Sequence, residues 1–163
     1  MVKNNKLSPP LIWSNPIHLL AFGFGAGASP YAPGTFGTLI GIPIYLLLLH
    51  LVFWQYLGIV FLLFILGVWL CHTTARDLGV HDHPGIVWDE IVGFLVTMTA
   101  APFGWLWIVI GFGLFRLFDI LKPWPINVVD KKVSGGLGIM LDDLVAGIFA
   151  AAVLKIIVRF YYS

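Results

Sequence analysis

The segment Asp77-Leu-Gly-Val-His-Asp-His-Pro-Gly-Ile-Val-Trp-Asp-Glu90 interrupts a mostly apolar chain and decides how that chain is organised. It holds four of the eight acidic residues and two of the five histidines, although only 10% of the chain is charged. No acidic residue lies before residue 77 or after residue 143, and the other acids are Asp119, Asp130, Asp142 and Asp143. Because ionised carboxylates are costly in apolar surroundings, their collection in this part of the chain indicates a chemical role.

The overall composition predicts a membrane protein. Of the 163 residues, 60% are hydrophobic, whereas soluble domains are about 45–50% apolar and about 25% charged. The length suits one domain, so we expect a tail at residues 1–14 and a single polytopic membrane domain at residues 15–163. The net charge of +1 gives no electrostatic basis for binding nucleic acid. Cys71 is the only cysteine, which excludes a disulfide within the chain.

Five apolar segments approach the roughly 20 residues that a helix needs to cross a bilayer. They cover residues 39–54, 56–71, 86–101, 105–121 and 139–158. We therefore expect an all-α membrane protein, a compact bundle of about five transmembrane helices. A Gly/Pro-rich loop region at residues 23–38 precedes them, since five glycines and two prolines there disfavour a regular membrane helix. This loop has two interpretations: an anion-binding nest of backbone N–H groups, or a tight turn packed against helices.

The connections between these segments predict which ends share a membrane face. Very short turns at residue 55 and at residues 102–104 indicate antiparallel hairpins. The loops 15–35, 72–85 and 122–138 then lie on one face, which carries most of the basic residues and is therefore cytoplasmic by the positive-inside rule. The same arrangement brings every acidic residue to that face. The basic residues concerned are Lys3, Lys6, Arg76, Lys122, Lys131 and Lys132.

Two vicinal acidic pairs, Asp89-Glu90 and Asp142-Asp143, each open a predicted membrane helix. Convergent carboxylates repel one another unless a cation joins them, and Mg²⁺ prefers oxygen ligands such as these. We therefore expect these four residues to bind Mg²⁺, helped by Asp119. The alternative is helix capping and favourable pairing with the helix dipole, which suits an acid in a first turn.

Phosphate-binding groups are predicted near the same face. Arg116 lies three residues before Asp119, so the two share a helical face and form either a simple ion pair or a phosphate clamp beside a metal ligand. Lys122 follows at the helix end. The glycines of Ser134-Gly-Gly-Leu-Gly138 precede a helix start, an arrangement that binds phosphate through free N–H groups. The predicted phosphate ligands are Arg116, Lys122, Gly135, Gly136 and Gly138.

The tripeptide His81-Asp82-His83 is the candidate for proton transfer. Histidine titrates near neutral pH, and these three ionisable groups precede the Asp89-Glu90 pair. The alternative is an ordinary solvated loop. The sequence shows no activated nucleophile, so we expect the metal ion to activate water for attack on a substrate.

Several strings of the sequence, taken in order, resemble the bacterial phosphatidylglycerophosphatase A family, and the resemblance covers nearly all of the chain. It implies a Mg²⁺-dependent, multi-pass phosphatase of the bacterial inner membrane that acts on the lipid phosphatidylglycerophosphate in phospholipid biosynthesis. Nothing in the sequence predicts a protein partner. The matching strings are Ser14-Asn-Pro-Ile-His-Leu-Leu-Ala, Gly23-Phe-Gly-Ala-Gly, Pro33-Gly-Thr, Gly79-Val-His-Asp-His, Ile86-Val-Trp-Asp-Glu, Arg116-Leu-Phe-Asp, Lys122-Pro-Trp-Pro-Ile and Gly135-Gly-Leu-Gly-Ile-Met-Leu-Asp-Asp.

Other functions remain as alternatives. Another lipid-phosphate phosphatase or a lipid-phosphate transferase would need the same ligands, and only the resemblance favours water as the acceptor. A cation or proton transporter would also place carboxylates in a membrane. The one-sided placement of the acids argues against transport, because His50 is the only polar relay in the outer halves of the predicted spans.

Overall fold

The computed structural model describes residues 9–99 and 101–163, and within these ranges the chain is helical without strands. Residues 1–8 of the predicted tail and residue 100 of the third predicted span lie outside the described residues. Residues 9–14 of that tail form a short helix. The helices are α1 (Pro9–Ser14), α2 (Pro16–Ala21), a 3₁₀ turn (Ala26–Ala28), α3 (Pro33–Leu48), α4 (Phe53–Leu78), α5 (Trp88–Met98), α6 (Trp105–Leu121), α7 (Ile126–Lys132) and α8 (Gly135–Tyr161).

Two helices in the described part of the chain, α4 and α8, are long and apolar enough to cross a membrane. They have 26 and 27 residues, and at 1.5 Å per residue each reaches about 40 Å. The all-α class is thus confirmed, but five full spans are not. Helix α5 has 11 residues, or about 16 Å, against a hydrocarbon core of about 30 Å.

Several helix boundaries differ from the prediction. Helix α3 begins at Pro33, inside the predicted loop, because proline is well suited to a first helical position. Helix α4 continues to Leu78 and is capped by Gly79 in the left-handed conformation, so the connecting loop is residues 79–87 rather than 72–85. Helix α8 begins at Gly135. Asp142 therefore lies about two turns into α8, and its predicted place in the first turn was wrong.

Helix α5 forms the centre of the bundle and packs against α8, α3, α4 and α6. Its first turn is fixed from two sides: Val87 N–H donates to Ala21 O at 2.9 Å, and Trp88 Nε1 donates to Leu63 O at 3.1 Å. The middle of α5 is inaccessible to solvent at Ile91, Val92, Phe94 and Leu95. Helix α5 is therefore buried and anchored by hydrogen bonds at its start, although it is too short to span a membrane.

Small residues let α5 and α8 approach closely. A Cβ on Gly93 would lie 2.9 Å from Asp143 O, and a Cβ on Gly147 would lie 3.2 Å from Gly93 C. Thr97 Oγ1 also donates to Gly147 O at 3.4 Å. Glycine at such crossings permits backbone contact between membrane helices. The crossing lies about one turn beyond the acidic residues of each helix, so it sets the distance between them.

The glycine-rich segment before α3 is a compact turn. Each N–H group from residue 23 to residue 29 donates to a carbonyl of residues 19–26. Gly23, Phe24 and Gly25 have positive φ, and the Ser29 hydroxyl donates to Tyr31 O at 2.8 Å. These N–H groups are already occupied, so the structure favours the tight-turn interpretation over the anion nest at residues 23–29.

Candidate active site

Three carboxylates converge where α5 meets α8. Asp89 and Glu90 lie in the first turn of α5, and Asp143 faces them from α8. One side-chain oxygen from each lies within 4.8 Å of the others. Asp89 Oδ1, Glu90 Oε2 and Asp143 Oδ2 are buried without a hydrogen-bond partner in the described structure. We call Asp89, Glu90 and Asp143 the carboxylate cluster.

Arg116 of α6 provides a positive charge beside the carboxylate cluster. Its Nη1 atom hydrogen-bonds Asp119 Oδ2 and lies 4.0 Å from Glu90 Oε1. The three side chains are each 13–15% exposed. Arg116 Nε is buried and makes no hydrogen bond among the described residues. The predicted Arg116–Asp119 pair thus exists, and it lies against the cluster rather than apart from it.

Lys122 connects the end of α6 to α7 and α8. Its Nζ donates to Asp142 Oδ2 and to Asp130 Oδ1, each at 2.6 Å. Burial by itself lowers the pKa of Lys122, but the hydrogen bonds to Asp130 and Asp142 outweigh it and raise the pKa above its ordinary value. The ammonium group is therefore charged at neutral pH. Asp142 keeps a second oxygen, Oδ1, buried and unpartnered.

The donor set fits a hard divalent cation. Carboxylate oxygens are the usual protein ligands of Mg²⁺, and buried carboxylates without partners are costly unless a cation joins them. Asp89, Glu90 and Asp143 meet both conditions, because they converge and each leaves one oxygen unpartnered. Asp119 and Asp142 are instead paired with Arg116 and Lys122, and their binding to a metal ion stays a prediction.

The predicted phosphate-binding glycines lie one to two turns before the acidic residues of α8. A Cβ on Gly136 would meet Val68 O and would lie 2.6 Å from His72 N, and Gly138 lies equally close to the Val133 main chain. Gly135 has φ +75° and lies beside His72. Gly135 and Gly136 let the start of α8 pack on α4 about two turns before Asp142, whereas Gly138 packs on Val133 about one turn before Asp142. Their role in phosphate binding stays a prediction.

The predicted proton-transfer residues lie on the loop 79–87. His81 and Asp82 are exposed, whereas His83 is half-buried with its ring centroid 5.5 Å from that of Phe22. Gly85 N–H donates to His83 Nδ1 at 3.0 Å. Burial lowers the pKa of His83, although the charge of Asp82 acts in the opposite direction. His83 also lines a cavity of about 430 Å³ with Pro33, the residue before Gly34.

Sequence reasoning missed Gly34 as a site residue. Gly34 is buried in the first turn of α3, and a Cβ there would meet Glu90 Oε1 and would lie 3.0 Å from Arg116 Nη1. The string Pro33-Gly-Thr was visible, but nothing in the sequence indicated that the start of α3 would lie against α5 and α6. The contact depends on the tertiary packing alone.

Comparison with known proteins finds one matching family and three relatives, two of which carry the family's name. The sequence profile of the family described as Phosphatidylglycerophosphatase A matches residues 19–158. Phosphatidylglycerophosphatase A of Escherichia coli strain K12 is 51% identical over 145 residues, 88% of this chain and 84% of that protein. The protein of the same name from Haemophilus influenzae is 48% identical over 155 residues, 94% of each chain. A Bacteroides thetaiotaomicron protein, provisionally named a phosphatidylinositol-3-phosphatase, is 36% identical over 140 residues, 81% of this chain and 87% of that protein. No solved structure matches the chain.

Proposed function

Because this chain belongs to the phosphatidylglycerophosphatase A family, we propose that it hydrolyses the terminal phosphate monoester of phosphatidylglycerophosphate. The products are phosphatidylglycerol and inorganic phosphate. The observation that carries the proposal is identity of 48–51% to two relatives of that name over most of this chain. The carboxylate cluster with its adjoining cations is the part of the structure whose chemistry suits this reaction.

The reaction consumes one water molecule. The water oxygen forms a bond to phosphorus, and the bond between phosphorus and the glycerol oxygen breaks. The glycerol oxygen then receives a proton. Negative charge on the transferred phosphoryl group must be offset while this happens. The Arg116 guanidinium, with a buried and unpartnered Nε, is suited to bind phosphate oxygens at the edge of the cluster.

Asp89, Glu90 and Asp143 would hold Mg²⁺, with Asp119 and Asp142 adjoining them. When bound, Mg²⁺ supplies a Lewis acid that offsets phosphate charge and makes water more acidic. Lys122 orients Asp142 through its 2.6 Å hydrogen bond. The proton for the leaving glycerol oxygen comes from the loop 79–87, where His81 and Asp82 are exposed to solvent and His83 faces Phe22.

We propose that the enzyme lies in the bacterial inner membrane, because its proposed substrate is a lipid. Helices α4 and α8 have the length to cross it, and the shorter apolar helices α3 and α6 complete the bundle around α5. The active site faces the cytoplasm by the positive-inside rule, since Arg76, Lys122, Lys131 and Lys132 lie at the same end as the acids. The acyl chains remain in the bilayer while the head group reaches the carboxylate cluster.

The proposal is tested with purified protein in detergent and a panel of lipid phosphates in H₂¹⁸O. We expect phosphate release from phosphatidylglycerophosphate at a rate at least about tenfold above that from phosphatidic acid or phosphatidylinositol 3-phosphate, with one ¹⁸O atom in each released phosphate. Phosphate without ¹⁸O would show that the carbon–oxygen bond breaks rather than the phosphorus–oxygen bond, and loss of the lipid phosphate without release of inorganic phosphate would indicate transfer to another acceptor. Preference for phosphatidylinositol 3-phosphate would favour the activity named for the Bacteroides relative. Metal-dependent ion uptake by proteoliposomes without hydrolysis would favour a transporter.

A further inference from the structure

Glycines in this protein differ in what a side chain would meet at their positions. At Gly27 and Gly136 the nearest obstacles are main-chain atoms of Gly85 and Val68. Main-chain atoms move only if the loop or helix moves, so these glycines serve packing. Gly34 differs, because the nearest atoms there belong to the charged ends of two long side chains.

Those side chains belong to the candidate active site. A Cβ on Gly34 would lie 3.0 Å from Arg116 Nη1 and 3.2 Å from Arg116 Nη2, and it would also meet Glu90 Oε1. The same Nη1 atom hydrogen-bonds Asp119 and lies 4.0 Å from Glu90 Oε1. The guanidinium is thus confined between Asp119, Glu90 and the bare main chain of Gly34.

We infer that Gly34 is a positioning residue for phosphate hydrolysis: its missing side chain leaves the space in which the Arg116 guanidinium is held beside Glu90. The inference rests on the proposed function. A methyl group at this position would displace flexible side-chain ends, while α3 itself could stay in place. Displacement of catalytic groups by about 1 Å costs on the order of 100-fold in rate. Activity and folding stability are therefore separable at this residue.

The first test is Gly34→Ala, measured by kcat/KM on phosphatidylglycerophosphate and by the thermal unfolding midpoint in detergent. We expect kcat/KM to fall about 30- to 100-fold and the midpoint to hold, because alanine favours a helix over glycine. Gly113→Ala on α6 is the matched control: nothing lies within 4 Å of a Cβ there, so kcat/KM should stay at its wild-type value and the midpoint should not fall.

The second test repeats Gly34→Ala in an Arg116→Lys background. Lysine lacks both terminal guanidinium nitrogens, so the added methyl group meets only Glu90 Oε1, which can shift into the space that the guanidinium leaves. We expect Gly34→Ala to lower the reduced activity of Arg116→Lys by less than about threefold, a non-additive result. Equal losses in both backgrounds, a fully active Gly34→Ala enzyme, or a lowered unfolding midpoint in both backgrounds would each overturn the inference. An inactive wild-type enzyme would instead overturn the proposed function.

Discussion

Lys122 pairs with two carboxylates that differ in burial. Its ammonium group donates hydrogen bonds to one oxygen of Asp142 and one oxygen of Asp130. The Asp142 side chain is only 9% exposed, whereas that of Asp130 is 40% exposed. The bond to Asp142 therefore lies in surroundings that screen charge poorly, and the bond to Asp130 is largely solvated. The hydrogen bond to Asp142 should therefore contribute more to the free energy of unfolding than the hydrogen bond to Asp130.

We expect Lys122→Met to lower both stability and activity, because it leaves the Asp142 carboxylate buried and unpaired. Loss of one partner of a partly buried pair should reduce the free energy of unfolding by about 1–3 kcal/mol. Thermal or denaturant unfolding in detergent measures this change. Asp130→Asn is the control and should change stability by less than about 0.5 kcal/mol. If the two variants were equally stable, Asp142 would not depend on Lys122.

For single residues, the sequence predicted contacts between charged side chains but not the contacts of a glycine. The Arg116–Asp119 pair follows from helical spacing alone, and the structure contains it. The convergence of Asp89 with Asp143 followed from the predicted hairpins and is also present. The role of Gly34 could not be predicted, because a glycine carries no chemical signal and its neighbours are set by how three helices pack.

Among the helices, the start of α8 gives the clearest choice between packing and phosphate binding. Gly136 lies against the Val68 carbonyl and the His72 main chain of α4, in the way expected where two helices approach closely. A phosphate ligand there would lie about two turns from the carboxylate cluster. The geometry favours packing as the reason for glycine at this position.

We expect Gly136→Ala to destabilise the protein by about 2 kcal/mol or more, because its Cβ would meet main-chain atoms that can move only if helix α4 moves. KM for phosphatidylglycerophosphate should stay unchanged in the fraction that remains folded. Unfolding curves and steady-state kinetics on the same preparation measure both. A variant of wild-type stability with a raised KM would instead support the phosphate-binding prediction.

The presence of helices was easier to predict than the residues at which they begin and end. Apolar runs predicted helices, but Pro33 could equally have ended a loop or begun a helix, and it begins α3. The polar residues from His72 to Asp77 suggested a loop, yet α4 continues through them because Gly79, not the first polar residue, ends it. Gly135 and Gly136 join α8 since they pack on α4, a tertiary effect that overrides propensity.

For the whole molecule, the membrane orientation is the main consequence of the charge distribution. If α4 crosses the membrane, its two ends are exposed on opposite sides. We expect Val80→Cys to be cytoplasmic and Gln55→Cys to be external, both in a Cys71→Ala background. A membrane-impermeant maleimide applied to intact spheroplasts should label the Gln55→Cys protein and not the Val80→Cys protein. Labelling of Val80→Cys alone would reverse the orientation, and labelling of both would contradict a membrane-spanning α4.

We propose above all that the carboxylate cluster is a Mg²⁺-dependent active site. The most direct measurement is phosphate release from phosphatidylglycerophosphate by wild-type and Asp143→Asn proteins, after EDTA treatment and across a Mg²⁺ titration. We expect the wild-type enzyme to be inactive in EDTA and restored by Mg²⁺, and Asp143→Asn to be at least about 100-fold slower with an unfolding midpoint no lower than that of the wild type. Full wild-type activity in EDTA, or a wild-type rate in Asp143→Asn, would contradict the claim.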